Sequence, residues 1–202
     1  MKLYYSPGAC SLSPHIVSRE LGMAVELKKV NTKDKTIEGG GDFRKVNPKG
    51  YVPALELDNG QVLTEGPAIV QYLADQKPDA GLAPKNGSIE RYKLQEWLNF
   101  ITSELHKGFT PLFKPNTPED YKPVAKENVS ARLDWLDQQL AGKDYLTGKG
   151  FTVADAYLFT VVNWTKFVGI DLAKWPNLSA YVARVAARPK VQEALKAEGL
   201  VK

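Results

Sequence analysis

The pattern of this chain changes character near residue 80, and that change sets the architecture it can adopt. Before it, short apolar runs alternate with helical spacing. Lys2–Tyr5 reads as a strand. Ser11–Leu21 carries Leu12, Ile16, Val17 and Leu21 at helical intervals, with Gly22 as a stop. Val25–Val30 reads as a second strand. Lys33–Asn47 is polar and glycine-rich around Gly39-Gly40-Gly41, a loop with a short helix at best. Val52–Leu57 and Gln61–Thr64 are strands joined by Asp58-Asn59-Gly60, a strong hairpin signal. Pro67 then opens a helix to about Asp75, giving the order β-α-β-α-β-β-α. Gln76–Gly87, with Pro78, Gly81, Pro84 and Gly87, reads as a linker.

Beyond the linker only helical patterns follow. Ser88–Phe109 carries Leu94, Trp97, Leu98, Ile101 and Leu105 on one stripe, and Pro118–Leu140 carries Val129, Leu133, Leu136 and Leu140. Phe151–Val168, Trp175–Arg188 and Val191–Leu200 supply three more helices. The prediction is an α/β domain over residues 1–80 and an all-helical domain over 87–202.

Bulk properties exclude several classes of function. The net charge of +4 is mild, and its excess is scattered among acids beyond residue 80. No run of aromatics lies between the basic residues, so nucleic-acid binding is not expected. The strongest apolar segment, Ala156–Trp164, is interrupted by Thr160 and Asn163 and is too short to span a bilayer, so no membrane partner is expected. A single cysteine excludes an internal disulfide framework. With no apolar stretch for a signal peptide at Met1–Pro7, a reducing, cytoplasmic location is expected. Neither a metal site nor a bound cofactor is expected.

That cysteine, Cys10, lies in Pro7-Gly8-Ala9-Cys10-Ser11, after the first strand and at the mouth of the first helix. Partial positive charge and unpaired N–H donors there favour thiolate, the reactive form. No second cysteine follows, so redox chemistry at this sulfur needs a thiol from outside the protein. His15 is one turn further on and conceivable as a base for Cys10, but nothing nearby orients it.

Three other segments carry chemical potential. Val52-Pro53 precedes a strand; a trans bond makes a rigid strand start, whereas a cis bond leaves backbone open for an added peptide strand. In Thr64-Glu65-Gly66-Pro67, the proline suits the first helical position and Gly66 the N-cap. The N–H groups of that turn are then left for water or a carboxylate, with Glu65 beside them to accept from an ammonium. Asn99, Ser103 and His106 follow i, i+4, i+7 spacing and share one helical face, either a wet surface or the wall of a site. Thr152 and Asp155, by contrast, read as a structural capping box with Phe151 as its staple.

Taken together these segments resemble a bacterial beta-class glutathione S-transferase over essentially the whole chain. The carrying residues are Tyr5-Ser6-Pro7-Gly8-Ala9-Cys10-Ser11, Val46-Asn47-Pro48-Lys49-Gly50-Tyr51-Val52-Pro53, Leu63-Thr64-Glu65-Gly66-Pro67-Ala68-Ile69, Trp97-Leu98-Asn99-Phe100, Ser103-Glu104-Leu105-His106-Lys107 and Phe151–Phe159. Cys10 combined with His106 singles out the beta class.

The resemblance implies a thioredoxin-like first domain, a helical second domain, a homodimer, and glutathione as co-substrate. Cys10 and His106 would be catalytic, and Cys10, Lys35, Val52, Glu65, Gly66, Asn99, Ser103, Glu104, Leu105 and His106 would bind glutathione. Small apolar electrophiles would be conjugated near Phe109, Pro111, Leu112, Phe113, Trp164 and Phe167. A Cys10–glutathione mixed disulfide would support thiol–disulfide exchange. The alternatives are a glutaredoxin-like reductase and a non-catalytic carrier of apolar ligands on the same fold.

Overall fold

The computed structural model describes residues 1–148 and 150–202, and these pack into two compact units. The first comprises residues 1–83 and 187–202; the second comprises residues 84–186.

In the first unit, strands β1 (Lys2–Tyr5), β2 (Glu26–Lys29), β3 (Ala54–Glu56) and β4 (Val62–Thr64) form one sheet in the order β2-β1-β3-β4. β1 runs parallel to β2 and antiparallel to β3, and β3 is antiparallel to β4. The register aligns Leu27, Leu3, Leu55 and Leu63 in one row across the sheet. Leu3 and Leu55 are fully buried. Side chains alternate along a strand, so their neighbours Tyr4 and Ala54 face the other way, into a cluster with Val30, Phe43 and Val52. Helices α1 (Leu12–Glu20) and α2 (Gly66–Asp75) pack on each other and bury Ile16, Val17, Ile69, Val70 and Leu73. The hairpin turn forms as expected, with Gly60 at φ +81°.

The second helix of the expected β-α-β-α-β-β-α order is reduced to a single 3-10 turn, Phe43–Lys45, capped by the Asp42 carboxylate. Gly39, Gly40 and Gly41 all have positive φ, which breaks any helix across this stretch; two isolated bridges, Val30–Ile37 and Thr36–Asp42, and turn bonds such as Lys35 N–H to the Asn31 carbonyl order it instead. β1 forms over its predicted span, whereas β2, β3 and β4 are shorter than their predicted runs.

In the second unit, α3 (Ile89–Phe100) runs into a π turn (Ile101–His106) and then α4 (Lys107–Phe113), where one continuous helix was predicted. Next come α5 (Tyr121–Leu140), α6 (Val153–Val162), a 3-10 segment (Asn163–Phe167) and α7 (Pro176–Ala186). Most of the predicted stripe residues are core: Leu94, Leu98, Ile101, Leu105, Val129, Leu133, Leu136 and Leu140 are all buried, whereas Trp97 is half-buried. Every residue of α6 is buried too. Its capping box forms as read, with the Thr152 N–H and hydroxyl each 2.8 Å from Asp155 Oδ2. The Leu146 N–H and the Tyr181 hydroxyl donate to the other oxygen. Burial pushes the Asp155 carboxyl up, against the pull of these four donors.

The last helix, α8 (Pro189–Ala197), was expected among the helices of residues 87–202 but packs with the first unit, against α1. Two charged contacts hold it. Arg188 forks onto Glu20 at 2.8 and 2.9 Å, and Glu198 reaches the buried His15.

Candidate functional site

Cys10 lies two residues before the first residue of α1, half-buried and in no disulfide. The loop that carries it is pinned by its own backbone and by Ser11. The Ser6 N–H donates to Ser11 Oγ at 3.1 Å, Ser11 Oγ returns a bond to the Ser6 carbonyl, and the Ala9 N–H donates to that same carbonyl. The Ser11 side chain is thereby engaged in the loop and does not cap the helix.

The Cys10 thiol donates to the Val52 carbonyl at 3.2 Å, and the Val52-Pro53 bond is cis. Two segments 42 residues apart in sequence thus meet at one carbonyl. Among the described residues the Val52 N–H makes no hydrogen bond. A peptide backbone with a carbonyl to offer can pair there as an added strand.

His15 is not a partner of Cys10. Its ring is 1% exposed, with Nδ1 at 2.8 Å from Glu198 Oε1 and Nε2 at 3.4 Å from Arg19 Nε. The second oxygen of Glu198 accepts from the Gly8 N–H at 2.9 Å. Glu198 therefore fastens the end of α8 to α1 through His15 and to the Cys10 loop through Gly8.

Lys35 and Glu65 share a backbone peculiarity. They are the non-glycine residues with positive φ among the described residues, at +66° and +70°. Such conformations cost of order 1 kcal/mol or more for residues with a Cβ and concentrate where a ligand is held. The Lys35 stem rests against Gly50, and its ammonium lies 5.6 Å from the Tyr51 ring centroid. Glu65, rather than Gly66, is the N-cap of α2, and Pro67 takes the second helical position. The helix begins at Gly66 itself, which moves the cap back by one residue. The Glu65 side chain makes no cap bond; it pairs with the Lys49 ammonium, which also donates to Thr64 Oγ1 at 2.9 Å. Lys49 was not singled out from the sequence, although it sits inside the quoted Asn47-Pro48-Lys49-Gly50 motif.

In the second unit the i, i+4, i+7 reading of Asn99, Ser103 and His106 meets the π turn. Asn99 and Ser103 remain exposed and linked, Ser103 Oγ donating to the Asn99 carbonyl at 3.0 Å. A turn with i→i+5 bonding advances less per residue than an α-helix, so His106 swings off that line. Its Nδ1 lies 2.7 Å from the Tyr157 hydroxyl, and its ring meets Trp164 edge-on at 4.8 Å. Glu104 is paired with Arg132 at 2.7 Å. Leu105 is fully buried, which leaves only its backbone to face a ligand.

Of the expected electrophile-pocket residues, Phe109 is wholly buried, whereas Phe113 and Phe167 are exposed. A shallow cavity of about 500 Å³ in this unit is lined by Pro111 together with Lys107, Lys114, Asn116, Tyr121 and their neighbours; of the expected electrophile-pocket residues it includes Pro111 alone. Among the described residues no group of His, Cys, Asp and Glu is placed to hold a metal ion, and no helix is long and apolar enough to cross a membrane.

Residues 8–76 match the glutathione S-transferase N-terminal domain, and residues 100–189 match the glutathione S-transferase C-terminal domain. The chain is 52% identical over 200 residues to glutathione S-transferase GstA of Escherichia coli O157:H7, covering 99% of this chain and 100% of that one. A sphingomonad glutathione S-transferase solved in complex with glutathione is 52% identical and superposes with a TM-score of 0.96 over 100% of both chains. The beta-class enzyme of Sphingomonas chungbukensis is 53% identical with a TM-score of 0.97, again over 100% of both chains. Two matched domains, full-length identity above one half and the cysteine beside a cis-proline turn agree: the chain belongs to the glutathione S-transferase family, in the likeness of its bacterial beta class.

Proposed function

We propose that this protein transfers glutathione to small electrophiles, as a cytoplasmic homodimer with a role in detoxification. The observation that carries this reading is the meeting of Cys10 Sγ with the carbonyl of Val52 before cis-Pro53. It sets a thiol beside an open backbone edge, which suits a thiol-bearing peptide. Glutathione has two carboxylates, one ammonium and one thiol. Lys35 would take the glycyl carboxylate, and the N–H groups at the start of α2, at Gly66, would take the γ-glutamyl carboxylate. Glu65 would take the ammonium, displacing or sharing it with Lys49. The Val52 N–H would bond the central peptide.

From the second unit, His106 would face the sulfur as a hydrogen-bond donor. Asn99, Ser103, Glu104 and the Leu105 backbone would border the tripeptide. In conjugation, Cys10 and His106 hold the glutathione thiolate by hydrogen bonds while it attacks the electrophile.

The half-buried thiol supports a second reading. The Cys10 thiolate attacks glutathione disulfide, one sulfur–sulfur bond breaks as another forms, and one glutathione thiolate leaves. Retention on immobilised glutathione plus turnover of a generic aryl halide is the expected result. Retention without turnover would favour a non-catalytic carrier, and disulfide reduction without aryl-halide turnover would favour a glutaredoxin-like reductase. Mass spectrometry with and without reductant should reveal a glutathione-sized adduct on Cys10.

A further inference from the structure

We propose that a cavity in the first unit, walled by His15 and anchored by Arg19, binds a small organic carboxylate with an apolar body. The cavity holds about 470 Å³, within the range of ordinary small-ligand sites. Helix α1 supplies His15, Ser18 and Arg19 to it, and the loop into β2 supplies Met23 and Val25. None of the residues assigned above to glutathione lines it.

Two backbone ties shape the site. Past the end of α1 the Met23 N–H turns back onto the Ser18 carbonyl at 2.9 Å. The Glu26 N–H then donates to the Met1 carbonyl at 3.1 Å, which fixes the entry of β2 to the start of the chain. His15 and Ser18 are buried, at 1% and 2% exposure, while Arg19, Met23 and Val25 are half-buried. A polar wall and an apolar wall therefore face one space.

Three charged groups border that space, and two have partners of opposite sign. The Met1 ammonium pairs with Asp58, and Glu26 pairs with Lys28 at 2.6 Å. Arg19 differs. Its Nε lies 3.4 Å from His15 Nε2, one turn back along α1, and among the described residues no carboxylate pairs with it. A guanidinium carries five N–H donors in a planar fork, and a carboxylate matches two of them at once. One unpaired cation suits a single negative charge; a dianion would meet Glu26 at the rim. The Met1 and Met23 thioethers are adaptable walls for the apolar body of such a ligand.

His15 joins this site to the Cys10 loop. Its other ring nitrogen meets Glu198, whose second oxygen accepts from the Gly8 N–H. An occupant of the cavity thus rests against the residues that clasp that loop.

Benzoate is the probe, with benzyl alcohol as the control for charge and acetate as the control for the apolar body. The full chain labelled with ¹⁵N-histidine is followed by NMR. It has two histidines, and His106→Ala leaves His15 alone, which assigns the signals. Benzoate should move the His15 signals with a Kd on the order of 1 mM. Benzyl alcohol and acetate should bind about tenfold more weakly or worse, and Arg19→Gln should weaken benzoate by a similar factor. Ala24→Trp, at an exposed lining position, should block benzoate while keeping the guanidinium in place, and it decides the matter if Arg19→Gln fails to fold.

His15 signals unmoved by benzoate well above that concentration would overturn the proposal. So would benzoate that moves His106 alone, equal binding of either control, or undiminished binding to a folded variant.

Discussion

The two units present their candidate residues in different ways. The first builds with backbone: a cis peptide bond at Val52-Pro53, positive φ at Lys35 and Glu65, and a helix start at Gly66. The second builds with side chains held by other side chains, His106 by Tyr157 and Trp164, and Glu104 by Arg132. Backbone groups recognise a peptide by its own repeating amides and end charges. Side chains on helices tune one atom. The first unit should accordingly govern affinity for the tripeptide, and the second the rate of the chemical step.

The sharpest test of that division is Cys10→Ala, expected to abolish the glutathione adduct in mass spectrometry while leaving measurable conjugation. Loss of conjugation with glutathione still bound would break the hydrogen-bonding role proposed for the thiol. Next in size is Asp155→Ala. It strands the buried Leu146 and Thr152 N–H groups, leaves the Tyr181 hydroxyl its longer bond to the residue-155 carbonyl, and should cost about 3 kcal/mol or more in chemical denaturation. A denaturation midpoint equal to wild type would mean α6 does not depend on its cap.

Lys35→Met should raise the KM for glutathione about tenfold with kcat little changed, as removal of one charge-assisted bond predicts. If kcat fell instead, affinity and rate would not divide between the units as stated.

The smallest effect is electrostatic and lies at the sheet. The Lys2 ammonium and the Tyr4 hydroxyl, bonding to Glu56, hold its carboxyl below the ordinary range. Burial, together with that carboxylate, pushes the Tyr4 phenol up to about 12 from its ordinary 10.0. Tyr4 therefore contributes stability that is complete below pH 10.0 and is lost as pH climbs toward about 12. Glu56 contributes stability that is present above the ordinary glutamate value and fades as pH falls through its lowered one. In a spectrophotometric base titration Tyr4 should ionise late, and Glu56→Gln should bring it earlier; no change would mean burial alone sets it.

What the sequence made legible was local. Asp58-Asn59-Gly60, Thr152/Asp155 and the buried stripes of α3 and α5 each depend on residues within a turn or two of one another, so pattern and structure coincide. What it hid depends on partners far along the chain. The π turn at Ile101–His106 looks like ordinary helix in its residues; only packing against α6 and α5 distinguishes it. The positive φ of Lys35 has no composition signal, because the usual marker is glycine. His15 looked like a neighbour of Cys10 because Glu198 is 183 residues away. Tyr157 was visible only as one more apolar position on a buried helix, and Lys49 as the variable letter of a turn motif.

Glu198 also carries a consequence for how the molecule comes into being. It grips the Gly8 N–H, two residues before the thiol, from 190 residues further along the chain. A ribosome making this protein releases the Cys10 loop long before its clasp. Until Glu198 has been made, the loop is without the buried carboxylate that fastens it. The sulfur gains its finished surroundings only after that residue has emerged and folded back.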